Sequence, residues 1–517
     1  MHMSVLAATT HGEALREIER LRTELAAATS RMLPTQRNPL LALDVYKMGH
    51  MEQYVPGCNK VYSYLIARTN RTFEKTVFFG LQYYLMQYLS LRLTKAMGKG
   101  FLENRARILG CENSPEVVKK IKALCRLGYW PLRIKAVPEG TVIGIRNVLM
   151  TIENTHPDFS WCVGFIESLV LKIWYPTTVA THSYHYRQLV NEHFDATVDA
   201  ELDFLRQFTV HDFGYRGDSS EEGAALSGVA HLLSFTGSDT VPALEFARQF
   251  YSAAPDEFVM ASVPASEHSV MCSFGKEDEL AAFRNMLRLY PTGIVSIVSD
   301  TYDVYRVVSE FAAILKEEIL ARPEGSKVVF RPDSGDPEYV ICGDPDATPG
   351  SREWKGCIRL LDEVFGHTVN RKGYKVLNAK VGIIYGEKMT LERYNRILMR
   401  LRAMGYAACN FVIGVGGILR NHTRDTLGFA LKATYVEVNG EPREIEKDPV
   451  TDTKKKSHRG LLALTRDETG AFITKDQCTR EEEEVSLLST IFEDGTIHAA
   501  CSLAEIRSRV GEALSLR

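Results

Sequence analysis

From Gly164 onward the chain repeats one pattern: a short apolar run, a polar or glycine-rich loop, then a helical stretch. FTVHDFGYRG passes into SSEEGAALSGVAHLLSF, GIVSIVSDTYD into VYRVVSEFAAILKEEI, VGIIYGEK into LERYNRILMRLRAM, and NFVIGVGG into ILRNHTRDTL, with KVVFRPDSGDP among them. Such alternation predicts βα units, and several in succession predict a parallel sheet that is closed or nearly closed into a barrel. Parallel architectures gather ligands at the loops after the carboxyl ends of their strands. The polar loops of this region are therefore candidates for one shared site.

The remainder of the chain is organised differently. Leu15, Ile18, Leu21 and Leu25 recur at helical spacing, so an amphipathic helix is expected over residues 11–33, ending before Pro34, within an extension spanning residues 1–38. Residues 39–163 mix strand patterns (KVYSYLIA, KTVFFG, and a meander over LRIKAVPEGTVIGIRNVLMTIEN) with a helical GLQYYLMQYLSLRLTKAM, which predicts an α+β domain. The barrel-forming region is assigned to residues 164–435. Residues 436–517 add a hairpin turning at Asn439-Gly440, a basic loop, an acidic cluster and a last helix from near Ser502, and are expected to pack on the first domain.

Composition narrows the partners. A formal net charge of −3 over 517 residues creates no global field toward nucleic acid or an anionic membrane, so any basic site must be local. Ten cysteines without a CxxC pair fit reduced thiols of a cytoplasmic protein better than a disulfide frame or zinc site. No run approaches the roughly 20 apolar residues of a membrane span.

Each candidate loop admits a plain reading beside a chemical one. Gly416 and Gly417 follow a strand and can bring amides to a phosphate, or can simply turn the chain. Arg331 and Asp333 stand two apart and suit a ribose phosphate, yet spacing alone fits a local ion pair equally well. Phe213 beside Arg216 could stack a planar heterocycle, whereas a core Phe with a surface Arg is the commoner pairing. Asp239, Asp300 and Asp303 stand where helices begin, so N-capping is their default role. His182 and His185 fit an exposed helical face better than a metal site. In SVPASEHSV, His268 follows Glu267 and remains open as core histidine, metal ligand or active-site centre.

The motifs in combination and order narrow these alternatives. LLALDVYKMGH, KVYSYLIARTN, VFFGLQYYL, YWPLRIKAVPEGTVI, WYPTTVAT, HDFGYRGDSS, FTGSDTV, SVPASEHS, VSDTYDVY, RPDSGDP, GVGGIL, TRD and KDPVTD occur in family order, so the chain from about Leu40 resembles the nicotinamide phosphoribosyltransferase family. The resemblance implies an α/β fold, an irregular βα barrel of the type II phosphoribosyltransferase kind with a second α+β domain. It also implies transfer of phosphoribosyl from 5-phosphoribosyl 1-diphosphate to nicotinamide, in a homodimer with shared sites.

By that resemblance Phe213 and the partner copy's Tyr46 sandwich nicotinamide, Asp239 reads its amide, and Arg216 contacts the carboxamide or phosphate side. Arg331 and Asp333 hold ribose and diphosphate, and Gly416 and Gly417 lie under the 5′-phosphate. Arg68, Arg424, Lys432, Lys447 and Lys455 neutralise phosphates, several of them across the dimer interface. Mg2+ would arrive chelated by diphosphate rather than on protein ligands alone, and ATP would phosphorylate His268, with Glu267 a candidate to orient the imidazole. Two departures stand out: the family's ribose-binding Gly-Asp is Gly386-Glu387 here, and a family serine near the phosphates is Ala430. The first 38 residues and GDPDATPGSREWKG have no family counterpart. The nearest rival, a nicotinate phosphoribosyltransferase, is disfavoured because the Asp239 carboxylate would repel the nicotinate carboxylate; a non-catalytic nucleotide-binding protein of the same fold is the other alternative.

Overall fold

The computed structural model describes residues 37–69, 71–451 and 456–515. The helix expected over residues 11–33 and the candidate Lys455 lie outside these described residues. The βα alternation appears as strands Val210–Asp212, Ile294–Val298, Lys327–Arg331, Val381–Tyr385 and Phe411–Val415, joined in one parallel sheet. Across the sheet the order is 210–212, 411–415, 381–385, 327–331, 294–298. Val415 pairs with Asp212, Ile383 with both Phe411 and Phe330, and Arg331 with Val298. In-register parallel pairing of this kind brings all five carboxyl ends to one edge. The strands are mostly apolar, with Val295, Ile297, Phe330, Ile383 and Ile413 buried, as a sheet covered on both faces requires.

The expected barrel takes a looser form. Between the two outer strands the described chain offers only isolated parallel bridges, Asp212 to Ser238, Gly237 to Ala261 and Ala265 to Ser296. Their sequences, TGSDT and ASVPAS, explain this. Pro264 has no N–H to donate to a ladder, and glycine and serine supply little side chain to pack. Single bonds still hold the stretch in place, with Ser238 N–H donating to Ala261 O at 3.1 Å and Ser296 N–H to Pro264 O at 2.9 Å.

A second, antiparallel sheet draws on both ends of the chain. Strand Cys58–Ile66 lies between Val148–Asn154 and Ala430–Val438, and Leu132–Ala136 and Ser489–Glu493 extend the sheet on the Val148–Asn154 side. The Asn439-Gly440 hairpin forms as expected, both residues at positive φ (56° and 82°), and the last helix covers Leu503–Ser515. The helix Trp174–Thr197 joins the two parts: Tyr184 packs into the core of the antiparallel sheet, while Tyr186, Val190 and Phe194 pack into that of the parallel sheet.

That helix also corrects a sequence expectation. His182 and His185 do not form an exposed face. His182 is buried with Nδ1 3.2 Å from His422 Nε2, and His185 stacks on Phe73 at 4.6 Å between centroids. Among the described residues there is no group of three or more His, Cys, Asp or Glu arranged to hold a metal. Burial first of all pushes His182 down to about 3, and His231 and His422 to about 4, from the ordinary 6.5. The native imidazoles thus stay neutral where unfolded ones are protonated. Between pH 6.5 and 4 the unfolded state binds more protons, so stability falls as pH falls through that window, by up to roughly 1.4 kcal/mol per histidine per pH unit. Denaturant unfolding from pH 7 to 4.5 is expected to show this loss, and a flat stability profile would contradict the buried neutral histidines.

Candidate active site

The carboxyl ends of the parallel strands open into a cleft of about 1630 Å³. It brings together ten residues expected from the sequence: Phe213 and Arg216 after strand 210–212, Asp239 from the bridged stretch, His268, Arg331 at the end of strand 327–331 and Asp333 just past it, Gly386 and Glu387 after strand 381–385, and Gly416 and Gly417 after strand 411–415. Each side chain or loop sits at the end of a strand or one to a few residues past a strand or bridge, so the rigid sheet sets their mutual positions.

Phe213 owes its placement to glycines. A Cβ at Gly414 would lie 2.1 Å from both Cδ2 and Cε2 of the Phe213 ring, so only glycine lets the ring lie across strand 411–415. At Gly386 a Cβ would meet Asp333 Oδ1 at 2.9 Å and the ring at 3.4 Å. Below the ring, Asp212 is fully buried and forms a network that sequence reasoning missed. Its carboxylate accepts from Arg420 Nη2 at 2.9 and 2.7 Å, from Gly214 N–H at 2.8 Å and from the Thr240 hydroxyl at 2.8 Å. Burial opposes ionisation of Asp212, but Arg420, His231 and these donors outweigh it and hold the carboxyl below its usual 3.8. Asp239 is exposed to the cleft, and one of its oxygens accepts a hydrogen bond from the Ser262 hydroxyl, leaving the other for a ligand.

His268 begins a short helix, His268–Cys272, and is half-exposed. Its Nε2 lies 3.2 Å from Oδ1 of Asp300, whose side chain is buried. Asp300 therefore orients the imidazole, the role the sequence suggested for Glu267. Glu267 instead accepts a hydrogen bond from Ser269. Of Asp239, Asp300 and Asp303, all expected as N-caps, only Asp303 takes that role, accepting from Arg306 N–H at 3.0 Å; helix Pro242–Tyr251 begins after Val241 with no side-chain cap. Arg331 Nη2 donates to Ser266 O at 2.8 Å, and its Nε lies 3.4 Å from Asp333 Oδ2. Burial, with Asp300 adding to it, raises the Asp333 carboxyl above 3.8 despite Arg331 and His268.

Five expected residues stand elsewhere. Tyr46 is 60% exposed, beside Lys47 and His50, and does not line the cleft. Lys432, on strand Ala430–Val438, lies within electrostatic range of Arg68, Lys447 and Arg424. Burial first, then these three cations, lowers its ammonium pKa from 10.5, with Glu167 opposing. Arg424 is held by Asp425 at 2.7 Å and Arg68 by the Gly428 carbonyl at 3.0 Å. One chain thus presents a mixed cleft and, apart from it, a basic cluster and an exposed tyrosine.

Residues 208–496 match the Nicotinate phosphoribosyltransferase (NAPRTase) family, and residues 38–103 match the Nicotinamide phosphoribosyltransferase, N-terminal domain. In fold the chain is similar to nicotinate-nucleotide pyrophosphorylase from Pyrococcus furiosus (TM-score 0.57, 16% identity, covering 93% of this chain and 97% of that one). It is also similar to human Nicotinic Acid Phosphoribosyltransferase (TM-score 0.52, 17% identity, covering 92% and 93%). Fold and family match together define a phosphoribosyltransferase. The sequence is 42% identical over 502 residues to the Nicotinamide phosphoribosyltransferase of Acinetobacter baylyi and 39% identical over 491 residues to that of Xanthomonas campestris pv. campestris, each covering 92% of this chain and 98% of the relative. The chain belongs to the nicotinamide phosphoribosyltransferase family.

The Gly414 contact makes a direct prediction. A crystal structure of Gly414→Ala is expected to keep the register of strand 411–415 but to show the Phe213 ring displaced from it; a ring left in place would contradict the close approach.

Proposed function

We propose that the protein transfers phosphoribosyl from 5-phosphoribosyl 1-diphosphate to nicotinamide, giving nicotinamide mononucleotide and diphosphate for NAD salvage. One observation carries the reading: a single cleft holds an aromatic face (Phe213), a carboxylate steadied by Ser262 (Asp239), and the Arg331–Asp333 pair beside the Gly416–Gly417 loop. The free oxygen of Asp239 accepts from the nicotinamide NH2 and repels a nicotinate carboxylate. Phe213 supports the uncharged pyridine by stacking, and Arg216 faces its carboxamide or the phosphate. Gly416 and Gly417 receive the 5′-phosphate. Asp333, Gly386 and Glu387 face the ribose hydroxyls, and Arg331 faces the diphosphate.

In the transfer the pyridine nitrogen lone pair forms a bond to C1′ as the C1′–O bond to diphosphate breaks, and both electrons of that bond leave with diphosphate. The centre is oxocarbenium-like, so positioning and neutralisation of the leaving group dominate catalysis. Mg2+ carried on the diphosphate would supply part of that neutralisation; Asp300, held by His268, and Asp333, held by Arg331, line the same cleft and suit a metal bound mainly through phosphate oxygens. The exposed Tyr46 and the cluster of Arg68, Arg424, Lys432 and Lys447, with Lys455, complete the neighbouring site of a homodimer, Tyr46 closing the second face of nicotinamide. ATP phosphorylates His268: Asp300 holds one ring nitrogen and the other attacks the γ-phosphorus as the bond to ADP breaks. We place the reaction in the cytoplasm, with no nucleic-acid or membrane partner. Among the described residues no helix is long and apolar enough to cross a membrane.

Steady-state assays with nicotinamide and nicotinate should give a strong preference for nicotinamide. Asp239→Asn, which keeps an acceptor but removes the negative charge, is expected to reduce the ratio of the two kcat/KM values at least tenfold; faster wild-type turnover of nicotinate would overturn the substrate assignment. His268→Ala is expected to keep ATP-independent transfer within about tenfold of wild type and to lose all stimulation by ATP, since the imidazole carries the phosphoryl group but not the glycosyl step. Undiminished ATP stimulation in that variant would remove His268 as the phosphoacceptor.

A further inference from the structure

We infer that Arg420 is a positioning residue that couples the phosphate loop to the loops that read the base, an inference that rests on the function proposed above. Arg420 lies three residues beyond Gly417, on the segment that the 5′-phosphate would immobilise, and its side chain points away from the cleft into the protein, 1% exposed. Nη2 meets both oxygens of Asp212 at 2.9 and 2.7 Å, and Nε lies 2.6 Å from Asp218 Oδ2. Asp212 immediately precedes Phe213. Its backbone N–H donates to Gly237 O at 3.1 Å and its carbonyl accepts from Asp239 N–H at 2.9 Å, while its carboxylate accepts from Gly214 and Thr240. Asp218 in turn accepts from Ser227 at 2.9 Å and from Tyr175.

One guanidinium therefore ties the phosphate loop to the stacking residue and to the amide-reading residue, although neither pair is in direct contact through side chains. A buried ion pair is weak evidence for stability, so the arrangement is better explained by what it positions. Ordering of residues 416–421 by an anion fixes Arg420. Arg420 then fixes Asp212, and with it the backbone on which Phe213 and Asp239 ride. Such coupling is reciprocal, so nicotinamide must tighten binding of the phosphate by the same factor.

Ribose 5-phosphate, which carries no leaving group, probes this without turnover. With full-length wild type, calorimetry should show that saturating ribose 5-phosphate lowers the Kd of nicotinamide at least fivefold. In Arg420→Lys and in Asp218→Asn that ratio is expected to fall to within twofold of one. Should either variant fail to fold, hydrogen exchange on the wild type replaces it: ribose 5-phosphate alone should slow exchange at the Asp239 and Thr240 amides at least threefold. A wild type that transfers phosphoribosyl yet shows a ratio near one, an unchanged ratio in the folded variants, or unaltered exchange at those amides would overturn the coupling. Absence of both nicotinamide binding and transfer by the wild type would overturn the function and this inference together.

Discussion

The carboxylate of Asp212 is the point on which the rest of the site depends. It is fully buried, and a buried charge without its partner costs several kcal/mol. Arg420 answers it from 208 residues further along the chain, so the ion pair reinforces the backbone pairing of strands 210–212 and 411–415 at their carboxyl ends. The remaining carboxylate valences are filled by Gly214 and Thr240, so a single side chain sets the height of three loops above the sheet.

The same edge of the sheet explains why the cleft is polar and permissive. Between strands 210–212 and 294–298 the chain makes bridges rather than ladders, which leaves Asp239 and Ser262 on irregular backbone and His268 at the start of a short helix that follows it. Such stretches serve a site well, because side chains can be aimed inward without obeying the alternation of a strand. Local strain gathers there too: Lys388, beside Glu387 on the cleft wall, adopts a left-handed φ of 52°, a conformation that costs a non-glycine residue roughly 1 kcal/mol. Glu387 itself lines the cleft.

What was legible in the sequence follows from this construction. Phe213, Arg331, Asp333, Gly416 and Gly417 stand next to apolar runs, and the rule that parallel sheets bind at their carboxyl ends places them together before any contact is known. Asp300 was misread because two aspartates precede one helix and only geometry decides which caps it: Asp303 does, and Asp300 is free for His268. Glu267 follows the same logic in reverse. It is adjacent to His268 in sequence, but helix initiation at His268 turns its side chain to Ser269. The histidines of HSYH looked exposed because their helix carries polar residues on every side, and it is buried on most of them. Arg420 and Asp212 leave no local signal at all, since an ion pair between a strand end and a helix 208 residues away has no spacing to read. The alternation foretells the five parallel strands but not how regular their closure is: between strands 210–212 and 294–298, where Pro264 and its neighbours cannot sustain a ladder, isolated bridges take its place.

In the proposed homodimer one chain supplies the cleft and the second copy supplies the tyrosine and cations that complete it. Mixing two individually impaired variants tests this most directly: Tyr46→Ala, altered only outside the cleft, and Asp333→Asn, altered only within it. Mixed dimers contain one site that lacks both defects, so co-refolded or co-expressed proteins are predicted to recover up to about one quarter of wild-type activity at equal amounts. Activity of the mixture no greater than the mean of the two separate variants would contradict the account.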